Sequence, residues 1–389
     1  MKKILIITTI GGFLPQFEMN DVKILMDQGY EVHYASDFSN PVYELDTELL
    51  KKMGIRLHPI AIRKSPLQFR HNLHALREIM TIVRKEKINV IHCHNPIGGV
   101  LGRLGAVAPE GLPKPYVIYT AHGFHFYDGA PFLNWLLFFP AELLLAGRTD
   151  TIITINREDN ARARRHMSGR LKAVYRIPGV GVKTGRFAPD LNVRQRVRKS
   201  LGIKEDTFYI LSVGELNHNK NHEVIIRAIA SLKDPDICYG ICGKGYRLEY
   251  LEQLAKEKGI EHQVKFFGFR NDIPEMLQGA DCFAFPSKRE GLGIAALEAM
   301  AAGLPMISSD CRGTREYMED NVTGYVCRSG TVSEYAGLIR KMKENPLERE
   351  GMSGACRKAA ENFNLDKTDK IMREIYGSLE SERISDRLL

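Results

Sequence analysis

The 389 residues predict an α/β protein built as two doubly wound halves, and three observations carry the prediction. Short apolar runs without alternation recur along the chain, each followed by a glycine-containing turn and an amphipathic stretch. That is the pattern of parallel strands buried on both faces and joined by crossover helices. The pattern halts at a segment rich in proline and glycine, Ile177-Pro-Gly-Val-Gly-Val182 and then Phe187-Ala-Pro189, and begins anew after it. The length gives each half a core of its own.

Composition narrows the function classes. Hydrophobic content of 44% and charged content of 26% are those of a soluble globular chain. A formal net charge of +8 and a pI near 9.0 point to an anionic partner, with nucleic acid, anionic lipid and phosphorylated substrate all compatible. No RNA- or DNA-binding motif is recognisable, so nucleic acid is not expected as a partner. Seven cysteines, odd in number and mostly in apolar surroundings, read as reduced buried thiols. Cys238 and Cys242 fall on one strand and read as core rather than metal ligands. Met1-Lys2-Lys3 runs directly into a strand pattern and not into a signal-peptide core, which sets the expectation of a cytoplasmic protein.

In the first half, Lys3 to Thr9 reads as a strand, Gly11-Gly12 as a turn, Glu18 to Gln28 as a helix and Gly29 to Ala35 as the second strand. Gly11-Gly12 lacks the G-x-G-x-x-G dinucleotide fingerprint; it is either a tight turn or a loop that approaches a ligand closely. Ser65-Pro66 reads as a helix start, with the helix running to Lys87. Leu73, Leu76, Met80 and Val83 form its apolar face. Arg70, Arg77 and Arg84 form a basic one, either merely solvated or meeting anionic lipid. Val90 to Pro96 ends a strand with His92 and His94 on the same side, but no further metal-ligand cluster is evident. Tyr116 to His122 is the next strand, and His122 stands at its carboxyl end, where doubly wound sheets bind ligands. Pro131 to Ala146 is strongly apolar and too short to span a bilayer. We read it as a core helix, with a surface for lipid as the alternative. Asp150 to Ile155 is a further strand, followed by the very basic Arg157 to Arg170.

The second half repeats the scheme: a strand at Tyr209 to Val213, a loop Gly214 to Lys220, a helix Glu223 to Leu232, a strand Asp236 to Cys242 and the turn Gly243-Lys-Gly245. A helix Leu248 to Lys258, a strand Val264 to Phe267 and a short helix opened by Asp272 follow. A lysine in a loop such as that of Lys220 suits neutralisation of a diphosphate, though an exposed lysine beside a helix reads the same way.

The densest polar signal lies between Phe285 and Pro305. Pro286 and Ser287 stop a strand, and Gly291-Leu292-Gly293 feeds an alanine-rich helix from about Ile294 to Ala302. Glu290 stands ahead of that helix and Glu298 about one turn inside it. A carboxylate accepts hydrogen bonds from two vicinal hydroxyls, so one acid suits a ribose and the other a sugar, with an anion seated at the helix end between them. The plain alternative is a helix start with a favourable acid near its dipole.

Here the chain resembles the family-4 retaining glycosyltransferases. Glu290 and Glu298 form their E-x7-E motif, and Pro286-Ser287 through Gly293 matches the approach to it. The resemblance covers nearly all of the second half; the first half matches more loosely, through Gly11-Gly12, Val90 to Pro96 and Thr120-Ala-His122-Gly123. It implies the GT-B fold, two Rossmann-like doubly wound domains facing across a cleft. Residues 1–185 would be the acceptor-binding domain, with the helix 365–389 packing back on it, and 186–364 the nucleotide-sugar domain. It implies Glu290 and His122 as catalytic residues. Gly11, Gly12, Lys220, Gly243, Arg270, Gly291, Leu292, Gly293 and Glu298 would bind the donor, with no metal and no cofactor beyond the UDP-sugar itself. Where the family has arginine ahead of the lysine, this chain has Glu215, so the phosphate grip differs or another base such as Arg289 compensates. The Gly123-Phe-His-Phe-Tyr-Asp-Gly129 loop is most similar to enzymes that extend lipid-linked capsule, exopolysaccharide or glycoprotein precursors. The partners expected are therefore a nucleotide sugar and a lipid-linked or other saccharide acceptor, with peripheral contact at the inner face of the cell membrane. A nucleotide-sugar epimerase of the same fold, a transferase acting on soluble acceptors and a non-catalytic sugar-nucleotide-binding subunit are the rival readings.

Overall fold

The computed structural model describes residues 2–39 and 41–385. Its contacts divide the chain into two compact units, Met1–Val180 with Asp366–Leu389, and Gly181–Leu365. The first unit holds a parallel sheet of seven strands: β1 (Lys2–Ile7), β2 (Tyr30–Ser36), β3 (Arg56–Pro59), β4 (Val90–His94), β5 (Tyr116–Ala121), β6 (Thr151–Thr154) and β7 (Ala173–Arg176), in the order β3-β2-β1-β4-β5-β6-β7. The second unit holds β8 (Phe208–Val213), β9 (Ile237–Cys242), β10 (Val264–Gly268), β11 (Cys282–Phe285), β12 (Met306–Ser309) and β13 (Gly324–Cys327), ordered β10-β9-β8-β11-β12-β13 and again parallel. The non-alternating apolar runs are explained by burial on both faces: Ile4, Leu5, Ile6 and Ile7 of β1 and Tyr209, Ile210 and Leu211 of β8 are inaccessible or nearly so.

Each order reverses direction beside its first strand, between β1 and β4 and between β8 and β11. Crossover helices leave from opposite faces on either side of such a point, so the loops at the carboxyl ends part and leave a crevice. The loops after β1, β4, β8 and β11 flank these points, and with those after β5 and β9 they hold most of the residues singled out in the sequence.

Three helices differ from the sequence reading. The stretch read as one helix from Glu18 opens with a π turn, Leu14–Glu18, before the α-helix Met19–Asp27, and this turn brings Glu18 inward to 5% exposure. The helix expected from Ser65-Pro66 begins at Phe69, because Ser65 closes a turn through its Oγ and the Leu67 amide instead. Its buried face is Asn72, Ala75, Ile79 and Val83, and Leu73 is exposed. The third is the apolar helix Phe132–Ala146. Trp135, Phe138, Phe139 and Leu143 pack on the first unit's core, but Phe132, Leu133, Leu136, Leu137 and Leu144 are all exposed. It is therefore not a core helix but a half-packed one.

The last helix, Leu365–Ser385, buries Met372, Ile375, Tyr376 and Leu379 and belongs to the first unit from Asp366 onward. Residues 386–389 of the expected returning helix lie outside the described residues. No helix among the described residues is long and apolar enough to cross a membrane.

Candidate active site

In the second unit, the loop after β8 and the loop after β11 bring Lys220 and Glu290 together, Nζ to Oε1, at 2.8 Å. The lysine also lies over the Phe285 ring at 5.0 Å, and the Lys220 amide is fixed by the Asn217 side chain at 2.9 Å. Pro286 and Ser287 cannot continue the strand, so the chain turns through Gly291–Gly293 into the helix Ile294–Ala301. Gly293 takes φ +93°, and a β-carbon there would stand 2.8 Å from the Phe285 ring, so the turn requires glycine. No side chain caps that helix, which leaves its start open to an anion. Glu298, one turn in, is half-buried, and burial raises its carboxyl pKa to about 7, with Arg186 as the opposing charge.

The remaining predicted donor-site positions divide. Leu292 is buried and its carbonyl accepts from the Tyr317 hydroxyl at 2.9 Å; Gly291 is half-buried beside it. Gly243 follows β9 and its amide donates to the Gly268 carbonyl at 2.7 Å. Arg270 is spoken for by a two-point pair with Asp272. Glu215 is exposed and accepts from Asn217 at 3.0 Å; Arg289 is exposed too. In the first unit, a β-carbon on Gly12 would sit 2.6 Å from the Tyr43 carbonyl oxygen. Chain packing alone therefore accounts for this glycine.

The carboxyl ends of β4 and β5 carry a different cluster. His122 Nε2 lies 3.2 Å from His94 Nδ1, and both approach Glu18 Oε1, at 3.8 and 3.5 Å. Burial pushes the His122 imidazole down to about 4 and holds His94 well below its ordinary value, with His92 and His122 adding to the effect. Both rings are neutral near pH 7. Glu18 is held well above the ordinary carboxylate range by burial, with Asp21 adding to the effect. Behind this group a hydrogen-bond chain runs from Thr120 Oγ1 to His92 Nε2 at 2.7 Å, from His92 Nδ1 to the Tyr376 hydroxyl at 2.9 Å, and from that hydroxyl to Asp21 Oδ2 at 2.9 Å. With Tyr376 donating to Asp21, His92 must donate through Nδ1 and accept from Thr120, which fixes its tautomer. Glu18, His94 and His122 are also the residues among those described whose ligand atoms, all within 4.8 Å, could hold a metal ion.

Sequence reasoning found His122, Lys220, Glu290 and Glu298 but missed Glu18, Asp21 and Tyr376. Glu18 was read as an ordinary helix start. The signal available was an acid set directly behind the apolar Phe13, Leu14 and Phe17 in the loop after the first strand.

Two doubly wound parallel units, each with its polar residues at the point where strand order reverses, make this a protein of the GT-B glycosyltransferase class. Residues 193–362 match the model of the glycosyl transferases group 1, and residues 9–156 that of the glycosyl transferase 4-like family. The chain is 36% identical over 382 residues to the glycosyltransferase EpsD of Bacillus subtilis (strain 168), over 97% of each. It is 27% identical over 311 residues to the UDP-Gal:alpha-D-GlcNAc-diphosphoundecaprenol alpha-1,3-galactosyltransferase of Escherichia coli, over 78% of this chain and 79% of that one. The crystal structure of Anabaena Alr3699/HepE in complex with UDP-glucose superimposes with a TM-score of 0.78 at 19% identity, covering 97% of this chain and 100% of that one, and so shares its fold. The chain belongs to the group 1 glycosyltransferases, of the family-4 type, and is an enzyme of that class.

Proposed function

We propose that this glycosyltransferase moves a hexosyl or N-acetylhexosaminyl group from a UDP-sugar to a lipid-linked saccharide acceptor in polysaccharide biosynthesis, with retention at the anomeric carbon. The observation that carries the reading is the Lys220–Glu290 pair beside an uncapped helix start, with Glu298 one turn further on. A cation, open backbone amides and two acids are the donor set that a nucleoside diphosphate sugar calls for. Glu298 takes the ribose hydroxyls, Lys220 and the amides take the diphosphate, and Glu290 takes the sugar hydroxyls. The leaving group needs its charge offset as the glycosidic C–O bond breaks, and Lys220 performs that task without a metal or other cofactor. His122, neutral near pH 7, offers the sugar a hydrogen bond and no charge. The acceptor hydroxyl attacks the oxocarbenium-like carbon from the face the diphosphate leaves, and its proton passes to the departing phosphate oxygen.

The relatives' names support the particulars: the E. coli protein is named for UDP-galactose and a diphosphoundecaprenol-linked acceptor, and Anabaena Alr3699/HepE was crystallised with UDP-glucose. A cytoplasmic protein working at the inner face of the membrane fits such an acceptor. The test is nucleotide release from a panel of UDP-, GDP- and ADP-sugars, with and without a membrane lipid extract, alongside Glu290→Ala. UDP release from one donor that needs the lipid and disappears in the variant is the expected result. Conversion of a UDP-sugar without any acceptor would favour an epimerase, and donor binding without release a non-catalytic subunit.

A further inference from the structure

The helix Phe132–Ala146 presents a solvent face with no polar side chain on it. Phe132, Leu133, Leu136, Leu137 and Leu144 are 79, 60, 57, 56 and 77% exposed, and the positions between them on that face, Pro140 and Ala141, are exposed as well. The helix does contain polar residues, but both are turned away. Asn134 donates to the His125 carbonyl at 3.0 Å. Glu142 reaches inward to the fully buried Arg103, with NH1 to Oε2 at 2.6 Å and NH2 to Oε1 at 3.1 Å. The sequence has spent its one acid on an internal anchor and left the outer surface wholly apolar. Contiguous exposed apolar area of this kind marks a surface that meets something.

What it meets is indicated at the helix's carboxyl end. There the amino ends of β5, β6 and β7 enclose an open cavity of about 530 Å³. Lys114, Arg148, Arg170 and Lys172 line it, against Asp150 as the acid. Asp150 is committed to the Val117 amide at 2.8 Å and to Lys172 at 3.7 Å. Arg170 also ties the cavity to the helix by donating to the Leu143 carbonyl at 2.6 Å. Lys114 and Arg148 have no ion-pair partner among the described residues. Arg164 and Arg165, exposed on the neighbouring helix Arg157–Met167, add to the same sign of charge.

We propose that this helix face and the basic cavity at its end form one docking surface for a bilayer containing anionic phospholipid. The helix is about 22 Å long, shorter than the hydrocarbon core, so it lies in the interface plane with its leucines at the headgroup–acyl boundary. A phospholipid phosphate sits in the cavity against Lys114, Arg148 and Arg170. This rests on the membrane-face reading above and names the surface that serves it; it does not depend on sugar transfer, since a chain that bound lipid in this way and transferred nothing would satisfy it.

The full chain should be tested by flotation with phosphatidylcholine vesicles and with mixed phosphatidylcholine–phosphatidylglycerol vesicles. Binding is expected to the anionic vesicles, at least about tenfold tighter than to the neutral ones and weakened by salt. The Lys114→Glu/Arg148→Glu double variant should lose about tenfold or more of that affinity. Leu136→Asn/Leu137→Asn should abolish flotation at any charge. All four positions are at the surface, so thermal melts and UDP affinity should match the parent. Arg70→Glu/Arg77→Glu/Arg84→Glu, on the other basic helix face, should bind as the parent does. Equal binding to both vesicle types, binding unchanged in both variant pairs, or loss only in the Arg70 set would overturn the proposal. Saturation by inorganic phosphate without vesicle binding would also overturn it, leaving a small-anion pocket.

Discussion

The polar cluster at the ends of β4 and β5 is closely packed, and burial there works against charge on both imidazoles and on Glu18, whereas the cluster at the ends of β8 and β11 is built around an ion pair with an open helix start beside it. In the first unit, burial opposes ionisation: it lowers the two imidazoles and raises Glu18 from their ordinary values, which favours a set of hydrogen-bond donors and acceptors over a set of charges. In the second, Lys220 and Glu290 are close enough to hold each other's charge, at 20 and 13% side-chain exposure. A neutral cluster orients a substrate, and a charged one steadies charge that develops during reaction.

That contrast can be broken by mutation. Lys220→Met should cost about 10³-fold in kcat for UDP release, the scale of losing a preorganised electrostatic partner, with a smaller change in donor KM. His122→Gln keeps a hydrogen-bonding group and removes no charge, so it should cost about 10²-fold or less. Equal losses from the two would mean that the first unit's cluster is not acting as a neutral one.

The pH dependence sharpens the comparison. The folded-state pKa of Glu298 is raised to about 7, so protonation favours the folded chain. That contribution is complete below the unfolded value and is lost as pH rises through about 7. The ribose role proposed for Glu298 carries the opposite sign, because the carboxylate is the form that accepts two hydroxyls. The UDP dissociation constant should therefore be flat above about pH 7 and rise by about tenfold per pH unit below it. Glu298→Gln should bind more weakly and flatten the curve. The smallest effect belongs to Tyr376→Phe, which removes the link between the last helix and His92 and Asp21. A loss of about 1–2 kcal/mol is expected, read as a lowered melting temperature with UDP affinity unchanged.

Much of this was legible in the chain beforehand. The strands that are buried on both faces announce themselves by unbroken apolar runs, and the E-x7-E segment by an acid on each side of a glycine turn. What the sequence concealed is direction. Whether Phe132–Ala146 is core or surface turns on which way Glu142 points, and nothing local fixes that; Arg103, on a different helix, does. Glu18 looked like a routine helix start because a π turn, which rotates one side chain out of phase, leaves no periodic trace. Tyr376 is remote in sequence from His92 and Asp21, so no spacing rule connects them.

All seven cysteines are free and buried. Burial pushes the Cys93, Cys242, Cys327 and Cys356 thiols up to about 12, so in the folded protein these four offer almost no thiolate to an alkylating reagent. Their distribution is lopsided: Cys93 lies in the first unit and the others in the second. Each unit thus carries its own built-in clock. In a denaturant series with a maleimide and peptide mass mapping, labelling of Cys93 times the opening of one core, and labelling of Cys282 or Cys356 times the opening of the other. If UDP binds only the second unit, it should slow the second clock and leave the first running at its own rate.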